Sequence, residues 1–242
     1  MSQVRTARLW RDFLAQVASN EDRCLLISDT DAFREAAAMR VLRCNPSNDD
    51  LRCIIREVRA YREEAAKRLL KQKPSNDDLC EVVQYVPSFR KRAGKLIFKR
   101  NPSNADLLCI MLWIGTMRAA AWQRMLSNHP TKENLCVVIY HIESLRPLAW
   151  QRLIERDPSC DDLCSVISHA ESLEEAAWKK LLELGPTNQD LRRLVAGLSR
   201  IRRESAHRLL QEHLSETDLR FVLETCPSSS ETMEEILGIA TV

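Results

Sequence analysis

Proline recurs at positions 46, 74, 102, 130, 158 and 186, so every interval is 28 residues and no insertion breaks the register. Such a fixed spacing restricts the chain to a series of equal supersecondary units stacked in order. With the proline as column zero, column one reads Ser47, Ser75, Ser103, Thr131, Ser159 and Thr187. Column five is Leu51, Leu79, Leu107, Leu135, Leu163 and Leu191. The heptad around the proline is nearly copied: NPSNDDL at 45–51, KPSNDDL at 73–79, NPSNADL at 101–107 and DPSCDDL at 157–163. The register continues outward, with Leu219 in column five of LSETDL and Arg23 in column five of ASNEDR. We read a single domain over 1–242: an N-terminal capping helix within 1–17, seven regular repeats over 18–213, and a degenerate capping repeat over 214–242.

Each unit reads as two short helices. Ser or Thr in column one is an N-cap, and an acidic residue three positions on (Asp50, Asp78, Asp106, Asp162, Asp190) completes a capping-box pair. Apolar residues in columns 5, 8, 9 and 12, such as Leu51, Ile54, Ile55 and Val58, make one helical stripe. A second break near column 14 places Ser88, Thr116, Ser144 and Ser172 as the next N-caps. The second helix carries Ala65, Ala93, Ala121, Ala149 and Ala177 in column 19 and apolar pairs in columns 23 and 24. It stops at the next proline, which has no N–H to continue a helix and restricts the residue before it. The PSNDDL motif is therefore punctuation: stop one helix, turn, cap the next.

A helix pair of this length cannot bury its apolar stripe alone, but a stack of them forms one continuous core. The expected fold class is all-α, an α-solenoid of about eight 28-residue helix-turn-helix repeats. In this architecture the chain resembles the HEAT, armadillo and tetratricopeptide class over essentially its full length. The resemblance implies, by analogy, a right-handed superhelix. The repeat is shorter than the roughly 34 residues of a tetratricopeptide unit, and that family's Gly and Tyr positions are missing.

Composition narrows the partners. Lys and Arg (36) nearly balance Asp and Glu (34), which is not the footprint of an obligate nucleic-acid binder. No apolar run is long enough for a membrane span, and the charged N-terminus MSQVRTARLWRDFLAQ does not read as a secretory signal. Nine Cys without a CxxC pair read as free thiols in a reducing, cytoplasmic setting.

The first helix exposes columns 6, 7 and 10 and partly column 11, where the repeats differ from one another. Arg56 and Tyr85 lie there early in the array, followed by Leu108, Cys109, Leu112 and Trp113, then Val137, Tyr140 and His141, then His169. The first helix of the repeat at 102, ADLLCIMLWIGTM, is apolar all round. Such a helix is either fully buried or sticky. In an open stack it marks a partner-binding ridge on the concave side; the competing reading buries these groups between successive first helices.

Other constellations read as structure. Trp122, Trp150 and Trp178 share column 20 on the buried side of the second helix. The Cys136–His141 and Cys164–His169 pairs, five apart, point about 140° away from each other and cannot share a metal. No Gly-rich phosphate loop or HExxH pattern is present, and no carboxylate is placed to make His141 and His169 catalytic. No catalytic residue, metal or cofactor is expected. The expected function is a non-enzymatic scaffold that binds a protein or peptide along the ridge. One alternative is nucleic-acid binding through basic second helices, notably Arg90–Arg100. Another is homo-oligomerisation, a homodimer formed through the apolar patch around Trp113.

Overall fold

A computed structural model describes Cys24, Ile27 and residues 34–197, 201–212 and 216–225. The capping helix expected within 1–17 and the segment 227–242 lie outside the described residues. The chain divides into two compact units at a repeat proline, one ending at Pro130 and the other starting at Thr131. Both are all-α and solenoid-like, and no strand occurs among the described residues. The first unit holds α1 (Arg34–Arg43), α2 (Asn48–Glu57), α3 (Arg62–Leu69), α4 (Asn76–Tyr85), α5 (Arg90–Lys99), α6 (Asn104–Trp113) and α7 (Arg118–Ser127). The second holds α8 (Lys132–His141), α9 (Arg146–Ile154), α10 (Cys160–His169), α11 (Glu174–Leu184), α12 (Asn188–Ala196), α13 (Arg202–Glu212) and α14 (Glu216–Thr225).

Each repeat is a helical hairpin, α2 with α3, α4 with α5 and α6 with α7 in the first unit. In the second unit α8 pairs with α9, α10 with α11 and α12 with α13. Neighbouring repeats join through their first helices, α2 on α4 and α4 on α6, then α8 on α10 and α10 on α12. The apolar stripe forms the core. Leu51, Ile54 and Ile55 are fully buried, as are Leu79, Val82 and Val83, and Leu135, Val138 and Ile139. Column 19 alanines let the second helix approach closely, while Leu69, Ile97, Met125, Leu153 and Leu181 in column 23 are fully buried beside them. Each buried aliphatic side chain of this size contributes about 1.5–3 kcal/mol. Trp122 and Trp178 are core residues, 3% and 8% exposed.

The six first-helix caps form as the sequence predicts. Ser47, Ser75, Ser103, Thr131, Ser159 and Thr187 each accept from the N–H three residues on, and that residue's side chain accepts from the cap's own N–H. The second cap does not form where it was expected. Columns 13–15 make a single 3-10 turn, Arg59–Tyr61, Gly115–Met117, Glu143–Leu145 and Glu171–Leu173, and the α-helix proper starts in column 16. Its N-cap position makes no side-chain cap hydrogen bond in any of these repeats. Backbone bonds close the turn instead, as from Tyr61 N–H to the Val58 carbonyl at 3.0 Å.

The residue before the proline also departs from expectation. Asn45, Lys73, His129 and Asp157 adopt left-handed backbone (φ 53, 55, 52 and 49°) rather than the extended form, and Gly185 does so at φ 72°. This reverses the chain sharply at the helix end, a geometry that costs a residue with a Cβ about 1–2 kcal/mol. Gly185→Ala should therefore lower the calorimetric melting midpoint by the equivalent of about 1 kcal/mol. Gly115→Ala is the internal control: a Cβ there meets nothing within 4 Å, so its midpoint should hold or rise slightly.

Candidate partner-binding surface

The repeats are joined by a polar node that the sequence motif only half reveals. The column-four carboxylates Asp50, Asp78 and Asp106 are buried, 8%, 4% and 6% exposed. Each serves its own cap and also receives donors from the preceding repeat. Asp78 Oδ2 accepts from Ser75 N–H at 2.7 Å and from Asn48 Nδ2 at 3.0 Å, while Arg52 Nε lies 3.3 Å from Oδ1. Asp106 accepts from Ser103 N–H at 2.8 Å, Asn76 Nδ2 at 2.9 Å and the Cys80 thiol at 3.8 Å. Asp218 repeats the pattern in the second unit with Arg192 Nε at 2.6 Å. A buried carboxylate is tolerated only when its lone pairs are met in this way.

Columns six and seven, expected at the surface, are consequently half-buried or buried between successive first helices from Arg52 to Ser165, whereas Arg193 and Arg220 stay exposed as expected. The Cys53 thiol donates to the Cys24 carbonyl and the Cys109 thiol to the Cys80 carbonyl, each at 3.7 Å. A hydrogen bond with the neighbouring thiol, and then burial, pushes Cys24 and Cys80 well above the ordinary thiol range. Burial pushes Cys164 up to about 12. Thiols held protonated and covered react slowly. Maleimide labelling of the native protein should modify exposed Cys44 before the other described thiols and reach Cys164 only under denaturing conditions.

A second device escaped the sequence reading, although it recurs in the same 28-residue register. In column 16, Arg34, Arg62, Arg90, Arg118 and Arg146 each turn Nε back to a column-nine carbonyl of their own repeat. The distances are 2.8 Å to Ile27, 2.8 Å to Ile55, 2.7 Å to Val83, 3.0 Å to Met111 and 2.8 Å to Ile139. Arg62 and Arg90 also donate to the next carbonyls, those of Arg56 at 2.9 Å and Gln84 at 3.2 Å. The guanidinium thus supplies donors to carbonyls that a helix end leaves without intrahelical partners. At the hairpin's other end Gln72, Arg100 and Asn128 donate to the carbonyls of Pro46, Pro74 and Pro102. Glu174 breaks the arginine series: it is buried and accepts from Ile201 N–H in the following repeat at 3.0 Å.

The arginines place the column-11 aromatics. Arg62 lies over the Tyr85 ring and Arg90 over the Trp113 ring, each 5.4 Å from the centroid. Trp113 is 41% exposed and the only aromatic among the large exposed apolar residues described. Tyr85, Cys109 and Leu112 are half-buried, Arg56 is exposed and pairs with Glu81 at 2.5 Å, and Leu108 is buried at 9%. In the second unit Val137 and Tyr140 are half-buried, and His141 and His169 are exposed. The Tyr140 and His169 rings lie 4.8 Å apart, and His141 meets the same Tyr140 ring edge-on at 6.3 Å. His169 Nδ1 lies 2.8 Å from the Ser165 carbonyl oxygen, which requires the proton on Nδ1. Burial raises the Tyr140 phenol above its ordinary range, with the nearby Cys136 thiol adding to the shift.

Among the described residues no group of three or more His, Cys, Asp or Glu gathers to hold a metal ion. No helix there is long and apolar enough to cross a membrane. No family model, curated protein or solved structure matches the chain.

The arginine clasp is testable. Arg62→Leu leaves two helix-end carbonyls without their donor and should cost about 1–3 kcal/mol in urea unfolding. Arg152→Ala, which removes only the exposed pair with Glu155, should cost about 0.5 kcal/mol or less.

Proposed function

We propose that the chain is a non-enzymatic, protein- or peptide-binding repeat scaffold of the HEAT, armadillo and tetratricopeptide type. Binding runs along the outward edge of the first helices, with Trp113 as the principal anchor in the first unit. The observation that carries this reading is the state of Trp113. A large indole is left exposed in a unit whose other large apolar groups are mostly covered. The Arg90 guanidinium fixes it from one side. Aromatic groups held in place before binding are the usual source of interface energy, because little side-chain freedom remains to be lost. Tyr85 under Arg62 adds a second, less exposed ring in the same unit. In the second unit the Tyr140–His169 pair, with His141 beside it, offers a smaller strip of polar aromatic contacts.

The free thiols accord with a reducing, cytoplasmic location. Homodimerisation through the Trp113 patch is a competing use of the same surface, and sedimentation at two concentrations separates it from binding to another chain. Trp113→Ala should leave helicity unchanged and melting nearly so, since it removes one exposed contact worth about 0.5–1 kcal/mol. It should also abolish or strongly weaken partner capture relative to wild type. A large loss of stability instead would show that Trp113 is a core residue and overturn the assignment.

A further inference from the structure

The near-neutral total charge conceals a local imbalance. The segment 82–130 carries eight of the 36 Lys and Arg residues but only Asp106 of the 34 acids, so the remainder of the chain is net acidic. Asp106 is itself buried in a repeat junction and donates no charge to the surface. The cations concentrate on α5, where Lys91, Arg92, Lys95 and Lys99 are all exposed. None of these four pairs with a carboxylate among the described residues, whereas Arg52, Arg56, Arg68, Arg152 and Arg192 all do. A hollow of about 470 Å³ opens along these four side chains. It shares Ser88 and Lys91 with a second hollow of about 380 Å³ that Trp113 and Arg90 line.

We infer that this trough takes an acidic peptide segment in extended form, with an apolar or aromatic residue against Trp113 and carboxylates over α5. The inference rests on the reading of Trp113 as a binding anchor and supplies the chemistry of its partner. Lys91, Lys95 and Lys99 stand four residues apart on one face of the helix, about 6 Å per step. An extended peptide presents alternate side chains on one face about 6.6 Å apart. Acidic residues at alternate positions therefore come into step with the three ammonium groups. A single-stranded nucleic acid would meet the same cations, but it relies on successive aromatic platforms for its bases. Trp113 is the one exposed aromatic here, and Arg90 already covers one side of it.

The test is fluorescence anisotropy with the full chain and a labelled synthetic peptide in which Glu alternates with Ser and Trp closes one end. A Gln-for-Glu peptide and an oligothymidine of equal charge serve as comparison probes. The Glu peptide should bind wild type. Its affinity should fall at least about tenfold in the Lys95→Glu/Lys99→Glu variant, and raised salt should weaken it further. Melting of the double variant should match wild type; if it does not fold, Lys95→Gln/Lys99→Gln replaces it. Equal binding of the Gln peptide, or an unaffected double variant, overturns the charge assignment and leaves the Trp113 reading standing. Charge-dependent binding that ignores Trp113→Ala overturns the anchor instead. Tighter binding of oligothymidine assigns the trough to nucleic acid, and no binding of any probe refutes the inference outright.

Discussion

The buried column-four carboxylates, Asp50, Asp78 and Asp106 in the first unit and Asp218 in the second, are the constraint on which the repeat junctions turn. Asp78 and Asp106 sit where the first turn of one helix meets the preceding first helix, and each is answered by donors from both sides. Leaving such a group unpaired in the interior costs several kcal/mol, so the junction tolerates only one register. The apolar stripe supplies most of the stabilisation but is non-directional: Leu, Ile and Val in columns 5, 8 and 9 would pack at many offsets. The carboxylate and its donors select the offset in which the first helices lie side by side. That same choice carries column 11 of one repeat beneath the column-16 arginine of the repeat before it.

Much of the fold was legible because its causes are local. The 28-residue proline spacing, the Ser/Thr caps and the apolar stripe all act within one repeat, and the structure shows all three. The misreadings involve causes that are not local. Ser88 and Thr116 look like caps in sequence, but the chain first makes a tight turn there, and the arginine two residues later reaches back to the earlier helix. Nothing in their local sequence separates Arg62 and Arg90 from solvated cations, since their seven-residue reach to Ile55 and Val83 depends on how the hairpin closes. Their recurrence in one column was the available signal. Columns six and seven point away from the stripe of their own helix, as a helical wheel predicts. From Arg52 to Ser165 they are covered because the first helices of adjacent repeats lie against them, column six toward the following repeat and column seven toward the preceding one, which a single-helix projection does not contain.

The candidate surface divides along the same line. That α6 carries apolar residues on every side was evident from LLCIMLW, but the wheel did not sort them. The structure places Leu108 inside, leaves Cys109 and Leu112 half-covered and exposes Trp113. Packing between first helices thus accounts for Leu108, while Trp113 stays open to solvent. The basic helix α5, an ordinary solvated face by composition, acquires its interest from position: its cations, unpaired among the described residues, border the hollow that exposed Trp113 lines.

The asparagine–aspartate link has a bearing on how such an array changes length. Asn48 reaches forward to Asp78 and Asn76 reaches forward to Asp106, so a module that begins at the repeat proline offers one donor ahead and one acceptor behind. Splicing a duplicate of 74–101 between Pro74-type boundaries would satisfy both without altering any neighbour. In thermodynamic terms the array then grows by near-identical increments, and surface strips along it are lengthened or shortened by whole hairpins rather than redesigned.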